Sequence, residues 1–132
     1  MVAITLTPKI KNLDKILAHC QRRRYTAKST IIYAGDRCDS LFFIIKGSVT
    51  ILIEDDEGRE MIIGYLNAGD FFGEMGLFDK EGQEQERSAW VRAKSECEVA
   101  EISYSKFRDI TLQDPDILLP LGSQMVARLR KT

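Results

Sequence analysis

Cysteine and histidine are scarce in this sequence. The three cysteines, Cys20, Cys38 and Cys97, are far apart and show none of the CxxC or Cys/His spacings of metal sites. An odd number of scattered cysteines is typical of reduced thiols, which predicts a cytoplasmic location. The single histidine, His19, has no second metal ligand or catalytic residue near it in the sequence, so we predict neither a metal site nor histidine chemistry.

A strong excess of charge and long apolar runs are also lacking. With 19 basic and 20 acidic residues the formal net charge is −1, which excludes a general positive field that would draw the chain to nucleic acid or to an anionic membrane. No apolar run approaches the roughly 20 residues needed to span a bilayer, and the N-terminal segment does not follow a signal-peptide pattern. We therefore expect neither membrane insertion nor secretion.

The composition that is present fits one globular domain, with 132 residues of which 44% are hydrophobic and 30% are charged. Residues 8–19 have the apolar period of a short amphipathic helix. Between residues 24 and 104, short segments rich in β-branched and aromatic residues alternate with turns that contain glycine and aspartate. This pattern predicts a compact antiparallel sandwich, barrel or roll.

Residues 113–132 predict a longer helix. Asp114 suits the N-cap and Pro115 the first helical position, whereas Pro120 predicts a bend or a later start of the helix. Four apolar residues follow at spacings of three and four. We interpret them as a seam with a second copy of the chain, with packing on the chain's own sheet as the alternative: Leu118, Leu121, Met125 and Leu129.

The segment GDFFGEMGLF, residues 69–78, has features of a ligand-binding turn. Gly73 and Gly76 allow a ligand to approach the backbone closely, and the free amides of such a turn favour an anion. Glu74 would repel an anion unless its carboxylate accepts hydrogen bonds from hydroxyl groups of the ligand. Taken alone, the same segment also fits an ordinary surface turn with one exposed acid, which is the more common case.

Arg87, thirteen residues after Glu74, adds a planar cation that suits phosphate oxygens. Ser88 adds a small hydrogen-bond donor, and Ala89 leaves room beside it. Together with Glu74, these residues indicate a ligand that joins a phosphate to a sugar. We expect Arg87 to be buried as an uncompensated cation until an anion binds, because apolar strands such as LFFIIKGSVTILIE and EMIIGYL are expected to cover it.

GEMGLF and ERSAWVRAKSECEVAEISY resemble the phosphate-binding cassette of cyclic-nucleotide-binding domains. From about residue 12 to residue 132 the chain resembles the cyclic-AMP receptor protein (catabolite activator) family, in particular its virulence factor regulator branch. The resemblance implies a mainly β fold with flanking helices, a jelly-roll-like β-roll (double-stranded β-helix) of eight strands, followed by a long C-terminal dimerisation helix. It also implies cyclic AMP as an allosteric ligand, with no metal and no enzymatic activity.

The family's binding roles, transferred to matching positions, imply ten ligand-binding residues. Glu74 would bind the ribose 2′-hydroxyl, while Arg87 and Ser88 would hold the cyclic phosphate. Arg128 would lie near the nucleotide, and Thr132 would reach the adenine amino group. The other implied contact positions are Ile63, Gly64, Gly73, Met75 and Ala89, of which Gly64 stands where the enteric family member has a serine near the base.

The resemblance further implies how the chain is organised. Residues 1–112 are interpreted as the sensory roll with its flanking helices, and residues 113–132 as the start of the dimerisation helix. The helix-turn-helix DNA-binding domain that follows in the family is absent from this chain. We accordingly expect a homodimer through the C-terminal helix, with DNA and RNA polymerase as partners only of a full-length regulator.

Two alternatives remain open from the sequence. The first is a sensor of the same fold that responds to redox state or to gas through an iron–sulfur cluster or haem, although the cysteine spacing does not favour a cluster. The second is a dimerisation module without a ligand. In that case replacing Arg87 by leucine is expected to leave stability unchanged or improved, because an unpaired buried cation is removed.

Overall fold

The computed structural model describes residues 13–77 and 86–130, in which a short helix precedes the strands and two longer helices follow them. The helices are α1 (Leu13–Leu17), α2 (Tyr104–Gln113) and α3 (Leu118–Arg130), with a 3₁₀ turn at Pro115–Ile117 before α3. The strands are β1 (Gln21–Tyr25), β2 (Thr30–Ile32), β3 (Ser40–Lys46), β4 (Ser48–Glu54), β5 (Glu60–Asn67), β6 (Phe71–Phe72), β7 (Trp90–Ala93) and β8 (Cys97–Ser103).

The strands form two antiparallel sheets whose order departs from the chain order. One sheet runs β1-β8-β3-β6 and the other runs β2-β7-β4-β5. Strands that follow each other in the chain therefore often lie in different sheets, as in a jelly roll, and the two sheets can enclose a space between them. The predicted mainly β roll with flanking helices is confirmed.

The first sheet is buried on both of its faces, which explains the unbroken apolar run of β3. Leu41 and Phe43 point to a core shared with the helices, whereas Phe42 and Ile44 point to a second core between the sheets. Successive side chains of a strand alternate between faces, so a strand covered on both sides must be apolar at every position. The helices thus cover the outer face of this sheet, and the second sheet covers the inner one.

The sequence predicts a break or bulge at Gly47, and the structure has the break. Gly47 divides the long apolar segment into β3 and β4 because its φ is 85°, and a β-carbon there would lie 2.3 Å from the Glu96 carbonyl oxygen. The two-residue strand β6 was not predicted, since Phe71 and Phe72 were interpreted as part of a turn. Of the helix predicted for residues 8–19, the structure describes α1, and residues 1–12 lie outside the described residues.

In α3 the structure explains how Pro120 is tolerated. The helix begins at Leu118, so Pro120 falls in its first turn, where a backbone N–H has no intrahelical acceptor. The predicted later start is therefore confirmed. Leu121 is fully buried in the chain's own helix-side core, and its assignment to an intersubunit seam was wrong, whereas Leu119 and Leu129 are exposed.

Candidate functional site

The turn after β6 is shaped by Gly73. Its φ of 83° is in the left-handed region, and a β-carbon there would lie 2.8 Å from Arg87 Nη1 and 3.0 Å from the Ser40 carbonyl oxygen. The amide of Leu77 donates to the carbonyl of Glu74 at 2.9 Å, which closes the turn. A side chain at residue 73 would therefore disturb both the backbone and the guanidinium packed against it.

Both the backbone and the guanidinium of Arg87 make hydrogen bonds to neighbouring segments. Its amide donates to the Asp36 carbonyl at 2.7 Å, and its side chain is 9% exposed. Nη1 donates to the Gly73 carbonyl at 2.9 Å and to Cys38 Sγ at 3.2 Å, and Nη2 donates to the Ser40 carbonyl at 2.7 Å. The predicted burial is confirmed, but the expectation of an unsatisfied group was wrong because three neutral acceptors contact it.

Glu74 faces Arg128 of α3. Glu74 Oε1 lies 3.5 Å from Arg128 Nη1, with side-chain exposures of 16% and 23%. Arg128 also donates through Nη2 to the Phe71 carbonyl, and its guanidinium carbon lies 4.1 Å from the centre of the Phe71 ring. Burial lowers the pKa of Arg128, while the negative charges of Glu74 and Asp70 act in the opposite direction. The ion pair thus connects the turn to α3.

One cavity of about 310 Å³ between the sheets brings these groups together. Its polar wall contains Glu74, Arg87, Ser88 and Arg128, and the remainder is mainly apolar. Most of the residues implied by the family resemblance line it. These are Ile63, Gly73, Glu74, Met75, Arg87, Ser88, Ala89 and Arg128.

Ile63 reaches the cavity through an irregularity in β5. The register passes from Ile51 opposite Gly64 to Leu52 opposite Ile62, so Ile63 is an extra residue in that strand. Such a bulge redirects a side chain. Gly64 does not line the cavity, and nothing lies within 4 Å of a β-carbon built on it. Thr132 lies outside the described residues.

Several lining residues were missed by sequence reasoning. The apolar wall includes Ile32, Ile51, Leu66 and Val91, which alternation along the strands would have placed on the inner face. Cys38 also lines the cavity, although its position after β2 carried no signal beyond that of a scattered cysteine.

Tyr104, the first residue of α2, closes the turn from the outside. Its hydroxyl donates to the Gly73 carbonyl, accepts from the Gly76 amide at 3.3 Å and lies 3.0 Å from Cys38 Sγ. Burial is the main cause that raises the pKa of Tyr104, followed by its hydrogen bond with Cys38, so the phenol stays protonated at neutral pH. In the sequence Tyr104 marked only the change from strand to helix.

The fold and the cavity define a β-roll domain with room for a small molecule between its sheets. Residues 22–114 match the family described as the cyclic nucleotide-binding domain, and the chain belongs to that family. The resemblance noted in the sequence is thereby confirmed.

Among the relatives of this chain are transcription regulators. It is 82% identical over 132 residues to the cAMP-activated global transcriptional regulator Vfr of Pseudomonas aeruginosa, covering 100% of this chain and 62% of that protein. It is 58% identical over 120 residues to the cAMP-activated global transcriptional regulator CRP of Salmonella typhimurium, covering 91% and 56%. The chain thus spans less than two thirds of the length of these relatives.

Solved structures agree with the fold. The c-di-GMP responsive global regulator CLP of Xanthomonas campestris matches with a TM-score of 0.79 and 37% identity, over 89% of this chain and 57% of that chain. The Thermus thermophilus catabolite activator protein matches with a TM-score of 0.78 and 29% identity, over 90% and 54%. Among the described residues, none of the helices has the length and apolar character needed to cross a membrane.

Proposed function

We propose that this chain is the cyclic-AMP-binding sensory and dimerisation domain of a bacterial transcription regulator that acts in the cytoplasm. One observation carries the proposal. Glu74, Arg87 and Arg128 come from three separate parts of the chain and line a single cavity together with Ser88. A carboxylate suits the hydroxyl groups of a sugar, and a buried guanidinium beside a hydroxyl suits a phosphate. The rest of the wall, which also holds Glu86, is mainly apolar and suits a base.

The phosphate end of the ligand is assigned to Arg87 and Ser88. In the structure Arg87 donates to neutral sulfur and carbonyl acceptors. Those acceptors carry no full negative charge, whereas a cyclic phosphate does, so the attraction between opposite charges lets the phosphate compete for Nη1 and Nη2. Arg87 is 9% exposed, so little water screens its side of this contact, whereas Ser88 is exposed.

The ribose end is assigned to Glu74, whose carboxylate accepts from a hydroxyl. Since Glu74 also pairs with Arg128, a ligand at Glu74 acts directly on α3. This route couples ligand binding to the position of α3, and through it to the DNA-binding domain of a full-length regulator. The size of that coupling is set by the difference in affinity of cyclic AMP for the two states.

The remaining assignments follow from the same proposal. Residues 1–112 act as the sensory unit and residues 113–132 as the start of the dimerisation helix, with DNA and RNA polymerase as partners of the full-length regulator. The cavity binds its ligand without transforming it, so we assign no enzymatic activity. Thr132 is assigned to the base side of the ligand on the family resemblance alone.

A cyclic dinucleotide is the second candidate ligand, because one related structure is that of a c-di-GMP responsive regulator. The cavity volume of about 310 Å³ is at the small end for ligand sites and favours a single nucleotide. The two candidates differ in size by a whole nucleotide. They are therefore separated by the same binding experiment.

Isothermal titration calorimetry with cyclic AMP, cyclic GMP and c-di-GMP tests the proposal. We expect saturable binding of cyclic AMP by the wild-type chain and a loss of about 100-fold or more in affinity for Arg87→Leu, because a buried charged hydrogen-bond donor to the ligand is removed. Arg92→Leu, which removes an exposed arginine paired with Glu60, is the matched control and keeps its affinity. Absence of heat and of a thermal shift at millimolar cyclic AMP would refute the proposal.

A further inference from the structure

The side chains of Tyr104, Cys38 and Arg87 form a connected set of hydrogen bonds with the Gly73 carbonyl. Tyr104 has one hydroxyl hydrogen, and it donates that hydrogen to the Gly73 carbonyl. The contact of 3.0 Å between its oxygen and Cys38 Sγ must therefore run from the thiol hydrogen to the phenol oxygen. Cys38 Sγ in turn accepts from Arg87 Nη1 at 3.2 Å. The direction of every bond in the set is thus determined.

The Gly73 carbonyl receives two donors in this arrangement. Tyr104 and Arg87 Nη1 both donate to it, the latter at 2.9 Å. When an anion draws Arg87 away, Tyr104 remains as the second donor. Without the phenol, the carbonyl would lose all its described donors at the moment the ligand binds, and an unsatisfied buried carbonyl opposes binding.

Tyr104 also fixes the shape of the turn. Its oxygen accepts from the Gly76 amide at 3.3 Å, so one side chain contacts both ends of the segment that carries Glu74. Its ring is 6% exposed and packs in the helix-side core, which anchors the hydroxyl. The turn is therefore supported from outside the cavity, by a residue that the ligand does not touch.

Cys38 opposes anion binding by Arg87, whereas Tyr104 supports it. Its sulfur lines the cavity and accepts from the same guanidinium nitrogen that a phosphate would engage. It therefore stabilises the form of Arg87 in which no anion is bound. Sulfur is a weak hydrogen-bond acceptor, so its competition with the phosphate for Arg87 is small. The strength of this competition depends on which atom occupies the position.

On the basis of the proposed function, we propose that Tyr104 and Cys38 are positioning residues for anion binding by Arg87. Tyr104 keeps the 73–76 turn in its binding shape while Arg87 changes partners, and Cys38 holds Arg87 in its ligand-free position. Neither residue needs to touch the phosphate. The two act on affinity in opposite directions.

Calorimetry on single variants of the chain tests this pair. Tyr104→Phe is expected to lower cyclic AMP affinity by about tenfold or more, because only the hydroxyl is removed. Cys38→Ala is expected to raise it by about threefold, and Cys38→Ser to lower it by a similar factor, because an oxygen accepts more strongly than sulfur. Cys20→Ala, in the segment between α1 and β1, is the control and keeps wild-type affinity.

Adenosine, which has no phosphate, distinguishes positioning from general support of the fold. Tyr104→Phe is expected to weaken cyclic AMP binding much more than adenosine binding, and the Cys38 variants are expected to change cyclic AMP binding alone. Equal losses for both ligands, or no loss in Tyr104→Phe, overturn the inference. If Tyr104→Phe does not fold, the two Cys38 variants decide. A higher cyclic AMP affinity of Cys38→Ala together with a lower affinity of Cys38→Ser supports the inference, and changes in the same direction overturn it.

These results separate the two proposals. If the wild-type chain binds cyclic AMP and the variants do not follow the expected pattern, the positioning inference alone fails. If the wild-type chain binds no cyclic nucleotide, the proposed function fails and the positioning inference fails with it.

Discussion

Under the proposed function Arg87 exchanges partners when an anion binds, since sulfur and two carbonyl oxygens already contact it. Each of those acceptors is itself part of the structure around the cavity. Removing the guanidinium therefore affects the ligand-free protein as well as the complex. This differs from the behaviour expected of an unpaired buried cation, whose removal would help folding.

Arg87→Leu is accordingly expected to destabilise the ligand-free chain by about 1 to 3 kcal/mol, because the Ser40 carbonyl loses a buried donor. Chemical denaturation followed by circular dichroism measures the change. Arg92→Leu provides the comparison, since its pair with Glu60 is exposed and worth less than about 1 kcal/mol. Equal or higher stability of Arg87→Leu would show that the three contacts contribute little.

The sequence predicted the chemical types at the site better than their contacts. Glycine, carboxylate and guanidinium follow from residue type and spacing, and the cavity does bring Gly73, Glu74 and Arg87 together. The satisfaction of Arg87 by carbonyls could not be predicted, because it depends on where β3 passes in space. The contribution of Tyr104 was hidden for the same reason, as it comes from a distant helix.

At the scale of elements, the same substitution has opposite effects at two glycines. Gly73 in the turn after β6 has a φ of 83° and close neighbours, whereas Gly122 in α3 has nothing within 4 Å of a β-carbon. A helix interior favours alanine over glycine, and a left-handed turn favours glycine over alanine. The backbone conformation of each element therefore determines whether replacing its glycine by alanine stabilises or destabilises the chain.

Gly122→Ala is expected to stabilise the monomeric chain by up to about 1 kcal/mol, and Gly73→Ala to destabilise it by about 1 to 2 kcal/mol. Thermal and chemical unfolding of both variants, measured side by side, provides the check. Stabilisation by Gly73→Ala would mean that the turn relaxes to a conformation different from the one in the structure.

Element types followed from the sequence wherever a period was maintained. β3, β4 and β8 have enough β-branched and aromatic residues to be recognised. Asp114 and Pro115 were predicted to begin the long helix, but they begin the 3₁₀ turn before it, and the Asp114 side chain makes no cap hydrogen bond. β6 has only two residues, too few to show any alternation, and it forms because β3 offers it a pairing edge. Short strands of this kind depend on tertiary contacts for their existence.

At the scale of the whole molecule, α3 has an exposed apolar side that a second copy of the chain could contact. Leu119, Val126 and Leu129 are 77%, 47% and 72% exposed, and their spacings of seven and three place them on one side of the helix. Leu121, on another side, is already buried in the chain's own core. We therefore assign the proposed dimer contact to the exposed set.

Sedimentation velocity tests the assignment. The double variant Leu119→Glu with Val126→Glu is expected to sediment as a monomer at concentrations where the wild-type chain is dimeric, because charges would face each other across an apolar seam. Leu112→Glu, an equally exposed position of α2 at 80%, is the matched control and leaves assembly unchanged. Unaltered assembly of the double variant would move the contact elsewhere.

Strand β6 has only two residues, and they contact different parts of the molecule. Phe72 forms part of the cavity wall, and Phe71, its neighbour in the chain, packs under Arg128 and in the core beneath α3. Only the backbone of β6 separates Phe72 at the cavity wall from the Phe71 ring packed against Arg128. A displacement of this backbone on ligand binding would carry both rings, which gives the proposed coupling a second path to α3 beside the Glu74–Arg128 pair.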